Sequence, residues 1–141
     1  MRNKIFAATL RCTGALLLLF FLAGCGSSSN NNALNPQFQP QVANVPDTFQ
    51  FQSTGVTGVT QNLHYGWQTS GTAASINQAS TLTAGTATVT ISDANGKVVY
   101  TGNLSANGTF TSAAGVGPGL WSIDVALNGY SGTLNFRVQK M

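Results

Sequence analysis

The chain has 141 residues, enough for one domain, and only 6% of them are charged, against roughly 25% in an average globular protein. Its net charge of +3 comes entirely from residues that precede Cys25, because the three acidic and three basic residues after it cancel. A neutral segment of this kind has no electrostatic attraction for nucleic acid or an acidic membrane surface, so nucleic acid is not an expected partner.

The first 24 residues are typical of a secretory signal. Three basic residues precede an apolar stretch at residues 12–22, which is too short for the roughly 20 residues that a membrane-spanning helix needs. The motif Leu22-Ala23-Gly24-Cys25 resembles the lipobox of bacterial lipoproteins. The resemblance implies that residues 1–24 are removed, that Cys25 is acylated, and that the lipid bilayer is a partner through that group. An ordinary signal with a chance cysteine, or a membrane helix, is the alternative.

The residue after the lipobox cysteine bears on the location of the protein. In many bacteria with two membranes, an aspartate at this position retains lipoproteins at the inner membrane. Gly26 resembles the class that is sorted onward, so we expect a lipid-anchored protein of the cell envelope, at the outer membrane if the organism has one. The resemblance implies that Cys12 leaves with the signal and that Cys25 is lipidated, so we expect no free thiol for a disulfide, a Cys-ligated metal or a nucleophile.

The segment from residue 25 to residue 46 predicts a lipidated cysteine followed by a flexible tether. After Cys25 it carries no charge, is rich in Ser, Asn and Gln, and contains three of the four prolines. Such a composition buries too little apolar surface to offset the entropy of ordering. A partner-docking peptide around Phe38 is the alternative interpretation.

From residue 47 onwards apolar and polar residues alternate with period two, which predicts half-buried β-strands. The clearest segments are residues 48–52, 63–68, 86–92, 121–127 and 134–138, and weaker ones are residues 74–79, 97–101 and 109–112. Turn signatures at Asp93-Ala94-Asn95-Gly96 and Ser105-Ala106-Asn107-Gly108 separate them. We therefore predict an all-β domain at residues 47–141, a single small antiparallel β-sandwich of about 7–8 short strands with essentially no helix.

The region 47–139 resembles an immunoglobulin-like or carbohydrate-binding-module-like β-sandwich, and residues 85–138 carry most of the likeness. It lacks the Cys…Trp…Cys framework of true immunoglobulin domains. The alternation predicts an inward set of apolar residues: Phe49, Phe51, Leu63, Tyr65, Trp67, Ile76, Val89, Ile91, Val98, Tyr100, Leu104, Phe110, Trp121, Ile123, Val125, Leu134, Phe136 and Val138.

Four aromatic residues are candidates for facing a ligand, because sugar sites use aromatic faces with polar neighbours. They are Tyr65, Trp67, Trp121 and Tyr130. Trp67 and Trp121 are each in phase with apolar neighbours, however, and an in-phase tryptophan is usually part of the core. We therefore expect both indoles to be mostly buried.

No catalytic or metal-binding group of residues stands out. His64 is the only histidine, there is no G-x-S-x-G motif, and Glu is absent from the chain. Asp93-Ala94-Asn95-Gly96 has the start of a calcium loop, but Asp93 is the only carboxylate nearby, so a plain turn is expected. The glycine-rich residues 115–119 precede a strand, so they are expected to form a loop and not a phosphate cradle.

These observations predict a membrane-anchored envelope lipoprotein whose domain is a non-catalytic structural or interaction module. No enzymatic activity, cofactor or metal is expected, and the partner would be an envelope protein or a glycan. The alternative is a glycan-binding module on the cell surface, and the exposure of the four aromatics distinguishes the two functions.

Overall fold

The alternating segments form strands, as predicted. The computed structural model describes residues 33–141, where the one helical element is a 3₁₀ turn at Pro36–Phe38. The strands are β1 Gln41–Val45, β2 Thr48–Thr69, β3 Ala74–Gln78, β4 Thr81–Ser92, β5 Val98–Asn103, β6 Gly108–Thr111 and β7 Gly119–Lys140. They form one antiparallel sheet, which confirms the all-β class and the sandwich-like fold.

Two strands are much longer than expected. The central strands β2 and β7 have 22 residues each and pair with one another along almost their whole length. On its other edge, β7 pairs directly with both β3 and β4. The remaining strands extend the sheet, because β1 pairs with β2, β6 with β3 and β5 with β4. The sequence predicted two short strands for each of β2 and β7, because glycine and polar residues interrupt the alternation near residues 55 and 129.

The long strands fold back on themselves, so the sheet becomes two layers. The ring centroids of Phe49 and Tyr65, which both lie on β2, are 5.1 Å apart. The N–H of Asp47 also donates to the carbonyl oxygen of Gln68, at the far end of the same strand, over 2.9 Å. The first half-sheet contains β1, residues 48–53 of β2, residues 134–140 of β7, β3 and β6. The second contains residues 61–69 of β2, residues 119–127 of β7, residues 86–92 of β4 and β5.

A glycine lies at the bend between the two half-sheets, which we call the fold line. The β2–β7 register shifts between Ser53 and Gln61, opposite the stretch of β7 that contains Gly132. Gly132 has a φ of 146°, and a Cβ there would overlap the carbonyl oxygen of Thr81 on β4. Only glycine accommodates this backbone at such close approach.

The predicted tether overlaps the folded domain. Leu34 and Phe38 are buried at 2% and 9% exposure, and the carbonyl oxygen of Phe38 accepts a hydrogen bond from Ser53 Oγ at 2.8 Å. The following strand β1 then pairs with β2. The boundary predicted at residue 47 is therefore too late, because two apolar side chains of this polar segment pack into the core and β1 extends the sheet. The signal and Cys25 lie outside the described residues.

The core lies between the half-sheets. Of the predicted inward set, only Val98 points outward, at 54% exposure, while Val99 is buried at 5%. The register between β4 and β5 shifts next to Ile91, and this bulge reverses the alternation. Tyr65, Tyr100 and Phe110 are partly buried against the core. The core also contains Ala87 and Leu127, which share the predicted inward phase of their strands, and further apolar residues outside the predicted set: Leu34, Phe38, Val56, Ala74, Val99 and Tyr130.

Candidate functional site

The two tryptophans are core residues. Trp67 and Trp121 are paired across β2 and β7, with exposures of 0% and 1% and their rings edge to face at 5.9 Å. Trp121 Nε1 donates to the carbonyl oxygen of Gly117 at 3.0 Å, whereas Trp67 Nε1 has no partner among residues 33–141. The expectation that both are buried is correct, and neither indole presents a face to a ligand.

The two tyrosines do not form a platform either. Tyr65 packs its ring on Phe49 and Phe51, and burial raises the pKa of Tyr65 to about 12. Tyr130 is 1% exposed, and its hydroxyl lies 2.7 Å from the carbonyl oxygen of Thr81 and 3.0 Å from that of Thr133. Tyr130 therefore secures the fold line. The ligand-facing role considered for these aromatics is wrong, because their phase along the strands turns them inward.

His64 lies on the outer face of the second half-sheet, directly opposite Asp124 of β7. Its Nδ1 atom is 2.5 Å from Asp124 Oδ1, and Ser122 Oγ donates to Asp124 Oδ2 at 3.2 Å. The carboxylate thus lies between the serine and the histidine. In a serine hydrolase the histidine occupies that middle position so that it can take the serine proton. This exposed arrangement therefore lacks the geometry of a nucleophilic triad.

The carboxylate of Asp93, which begins a turn, accepts hydrogen bonds from three backbone N–H groups. Asp93 Oδ1 accepts from the N–H groups of Asn95 and Lys97, and Oδ2 accepts from that of Val116. A calcium site needs several converging oxygens, whereas this carboxylate is surrounded by N–H groups. No cluster of three or more candidate metal ligands occurs within residues 33–141. The glycine-rich loop leads into β7 and packs against Asp93 and Trp121.

The outer face of the first half-sheet carries a surface that the sequence did not single out. We call it the amide face, because Gln and Asn dominate it. Its central row crosses five strands in the order Ala43, Gln50, Arg137, Asn77 and Thr109. Gln52 and Asn135 pair on one side of this row, and Gln139 and Ser75 pair on the other.

The amide face contains a shallow depression of about 420 Å³. Its lining residues come from β2, β3, β6 and β7: Gln50, Ser75, Asn77, Thr109, Asn135, Arg137 and Gln139. Arg137 donates to Gln50 Oε1 at 3.4 Å, and Asn77 Nδ2 donates to Thr109 Oγ1 at 3.0 Å. The depression therefore offers amide donors, amide acceptors and one guanidinium to solvent.

A weak signal for this surface is present in the sequence. Gln50, Gln52, Asn135, Arg137 and Gln139 occupy the polar phase of their segments. The alternation places each on an outer face, but it does not show that β2, β7 and β3 are neighbours. Only the long-range register brings these side chains into one row.

Comparison with known proteins returned no matching family model, no matching curated protein and no matching solved structure. Within residues 33–141, no helix has the length and apolar character needed to cross a membrane.

Proposed function

We propose that this protein is a lipid-anchored protein of the bacterial cell envelope whose β-sandwich acts as a non-catalytic interaction module. The lipobox-like motif ending at Cys25 supports the anchor. The amide face is the observation that carries the interaction role, because it gathers polar groups from several strands into one open depression.

The length of the connection to the lipid adds to this proposal. Ala33 accepts a hydrogen bond from Gln61 of β2, and Leu34 is buried, so a residue only eight positions after Cys25 is already held by the domain. Eight residues span at most about 28 Å when fully extended. An acylated Cys25 would therefore keep the domain close to the membrane surface, where it can meet envelope polymers but cannot reach far from the bilayer.

An enzymatic role receives no support from the described side chains. In the His64–Asp124–Ser122 arrangement the carboxylate, and not the histidine, lies in the middle, so the histidine cannot take the serine proton. The carboxylate of Asp93 already accepts backbone N–H groups. Glycan binding is the second candidate function, and the amide face favours it even though the aromatics are buried. Hydroxyl groups both donate and accept hydrogen bonds, and so do Gln and Asn side chains.

Metabolic labelling with palmitate tests the anchor. We expect the full chain to incorporate the label, and Cys25→Ala to lose it and accumulate as precursor with its signal uncleaved. Cys12→Ala is the matched control, since it removes the only other cysteine, and it should label normally. Equal labelling of the Cys25→Ala variant would contradict the proposal.

A further inference from the structure

Arg137 is a cation without an acidic partner. The sequence contains three acidic residues, and all three lie in the described part. Asp47 Oδ2 is 3.0 Å from Lys140 Nζ, Asp124 contacts His64, and Asp93 accepts backbone N–H groups. No acidic side chain is left for Arg137, whose guanidinium contacts only the neutral side chain of Gln50 among the described hydrogen bonds.

The chemistry of an unpaired guanidinium indicates what it would bind. Its planar fork of N–H groups matches a carboxylate in two parallel hydrogen bonds. On the amide face this fork lies in the middle of a row, with Gln50 on one neighbouring strand and Asn77 on the other. A ligand whose carboxylate pairs with Arg137 would therefore place its neighbouring groups next to the side-chain amides of Gln50 and Asn77.

The flanking residues favour hydroxyl groups beside the carboxylate. Gln50, Asn77, Asn135 and Gln139 carry both donors and acceptors, and the lining contains no exposed apolar side chain that would select a hydrophobic peptide. The depression of about 420 Å³ falls within the range of about 300–1,000 Å³ that is usual for small-molecule sites. The central row spans five strands, or about 19 Å at the usual strand spacing, so an extended ligand fits better than a single ion.

We infer that the amide face binds a carboxylate-bearing oligosaccharide, with Arg137 pairing with a carboxylate and the neighbouring amides binding sugar hydroxyls. This inference rests on the proposed interaction role and names the ligand class of that surface.

Two other occupants fit less well. Nucleic acid binding relies on several Lys or Arg side chains that neutralise several phosphates, and the amide face has one cation. A second copy of the same face would bring two Arg137 side chains towards each other with no carboxylate between them. Dimerisation through this face is nevertheless an outcome that the experiment detects, and it would overturn the inference.

Calorimetry with the full chain in detergent micelles tests the inference, with a short oligogalacturonate and its methyl ester as probes. We expect the acid form to bind, and the ester, which keeps the hydroxyls but loses the charge, to bind at least about tenfold more weakly. Arg137→Gln should weaken binding of the acid form by a similar factor. Lys97→Gln removes a cation outside this face and should bind as the unchanged chain does.

Asn77→Ala provides a second variant, which should weaken binding of both probes because it removes an amide that contacts hydroxyls. Circular dichroism and the unfolding temperature confirm that each variant is folded. Absence of binding, equal affinity for the acid and the ester, unaltered binding by Arg137→Gln, or dimerisation that Arg137→Gln abolishes would each overturn the inference. Palmitate labelling is independent of these results, so failure of the anchor and failure of the glycan site are distinguishable.

Discussion

The two outer faces of the sandwich differ in the partners of their charged side chains. On the second half-sheet, His64 and Asp124 lie opposite each other on neighbouring strands and contact one another directly. On the first half-sheet, Arg137 occupies the equivalent central position of its row, but its neighbours on both sides are amides. On one face the charged side chain thus has a titratable partner within the fold, and on the other the cation has only neutral neighbours.

This difference separates features that serve the fold from a feature that serves an external partner. A protein with only 6% charged residues has few ionic groups to distribute, and all three of its Asp side chains are engaged away from Arg137. The inner faces show no such contrast, because aromatic and aliphatic side chains from both half-sheets form one core. Substitutions in the core should therefore affect both half-sheets, whereas substitutions on the outer faces should distinguish them.

Trp121→Ala should have the largest effect, because it removes the indole between the half-sheets. Truncation of a buried aromatic costs about 3–5 kcal/mol, a large part of the stability of a small domain. Trp121 also loses its hydrogen bond to Gly117. Urea unfolding monitored by circular dichroism measures the change. A loss below about 1 kcal/mol would show that Trp121 is not packed as described.

Gly132→Ala should break the fold line that allows the two faces to exist. The φ of 146° is unfavourable for alanine, and its Cβ would overlap the carbonyl oxygen of Thr81. We expect a loss of at least about 1–3 kcal/mol from the backbone strain alone. Gly129→Ala is the matched control, since its φ is also positive, at 59°, but its Cβ would meet no atom within 4 Å. Equal losses of stability for the two variants would show that the overlap with the carbonyl oxygen of Thr81 does not contribute.

The contacts of the Asp47 carboxylate with the N–H of Ser70 and the ammonium of Lys140 should make the stability of the domain depend on pH. The N–H of Ser70 and then the ammonium of Lys140 lower the pKa of Asp47 from 3.8 to about 2. Because the pKa is lower in the folded state, the contribution is fully present above the unfolded pKa and is lost as the pH falls from about 4 to about 2. Asp47→Asn should flatten this part of the stability profile. An unchanged dependence of stability on pH in this variant would contradict the role of the Asp47 carboxylate.

His64→Gln and Arg137→Gln form the smallest and most specific pair, since each puts the same neutral side chain on one of the two faces. The side chains of His64 and Asp124 are 60% and 46% exposed, and even a full ion pair at such exposure contributes at most about 1 kcal/mol. We expect both variants to unfold within about 1 kcal/mol of the unchanged chain. Only Arg137→Gln should weaken binding of the oligogalacturonate, and a comparable loss with His64→Gln would remove the contrast between the faces.

The sequence predicted the local part of this structure well and the long-range part poorly. Alternation identified the inward phase of β2, β4 and β7, including Trp67 and Trp121, because one buried face imposes a period of two. It did not show that residues 48–52 and 63–68 belong to one bent strand, since the glycines between them equally suit a turn. The bulge that exposes Val98 also left no local signal.

The candidate site was less predictable still. Residues such as Gln50 and Asn77 are recognisable as outward, but their adjacency to Arg137 depends on pairings between β2, β7 and β3. The ordering of residues 33–46 depends in the same way on contacts of Leu34 and Phe38 with the distant core. Composition predicted a tether there, because composition does not register tertiary contacts.

The most direct test of the account is a titration of the ¹⁵N-labelled full chain in detergent micelles with oligogalacturonate, followed by the side-chain amide signals. We predict that signals of Gln50, Asn77 and Gln139 shift together with the guanidinium of Arg137, while residues around His64 and Asp124 do not respond. Shifts confined to the His64 face or to the loops, or no shifts at all, would contradict the claim that the amide face is the binding surface of this protein.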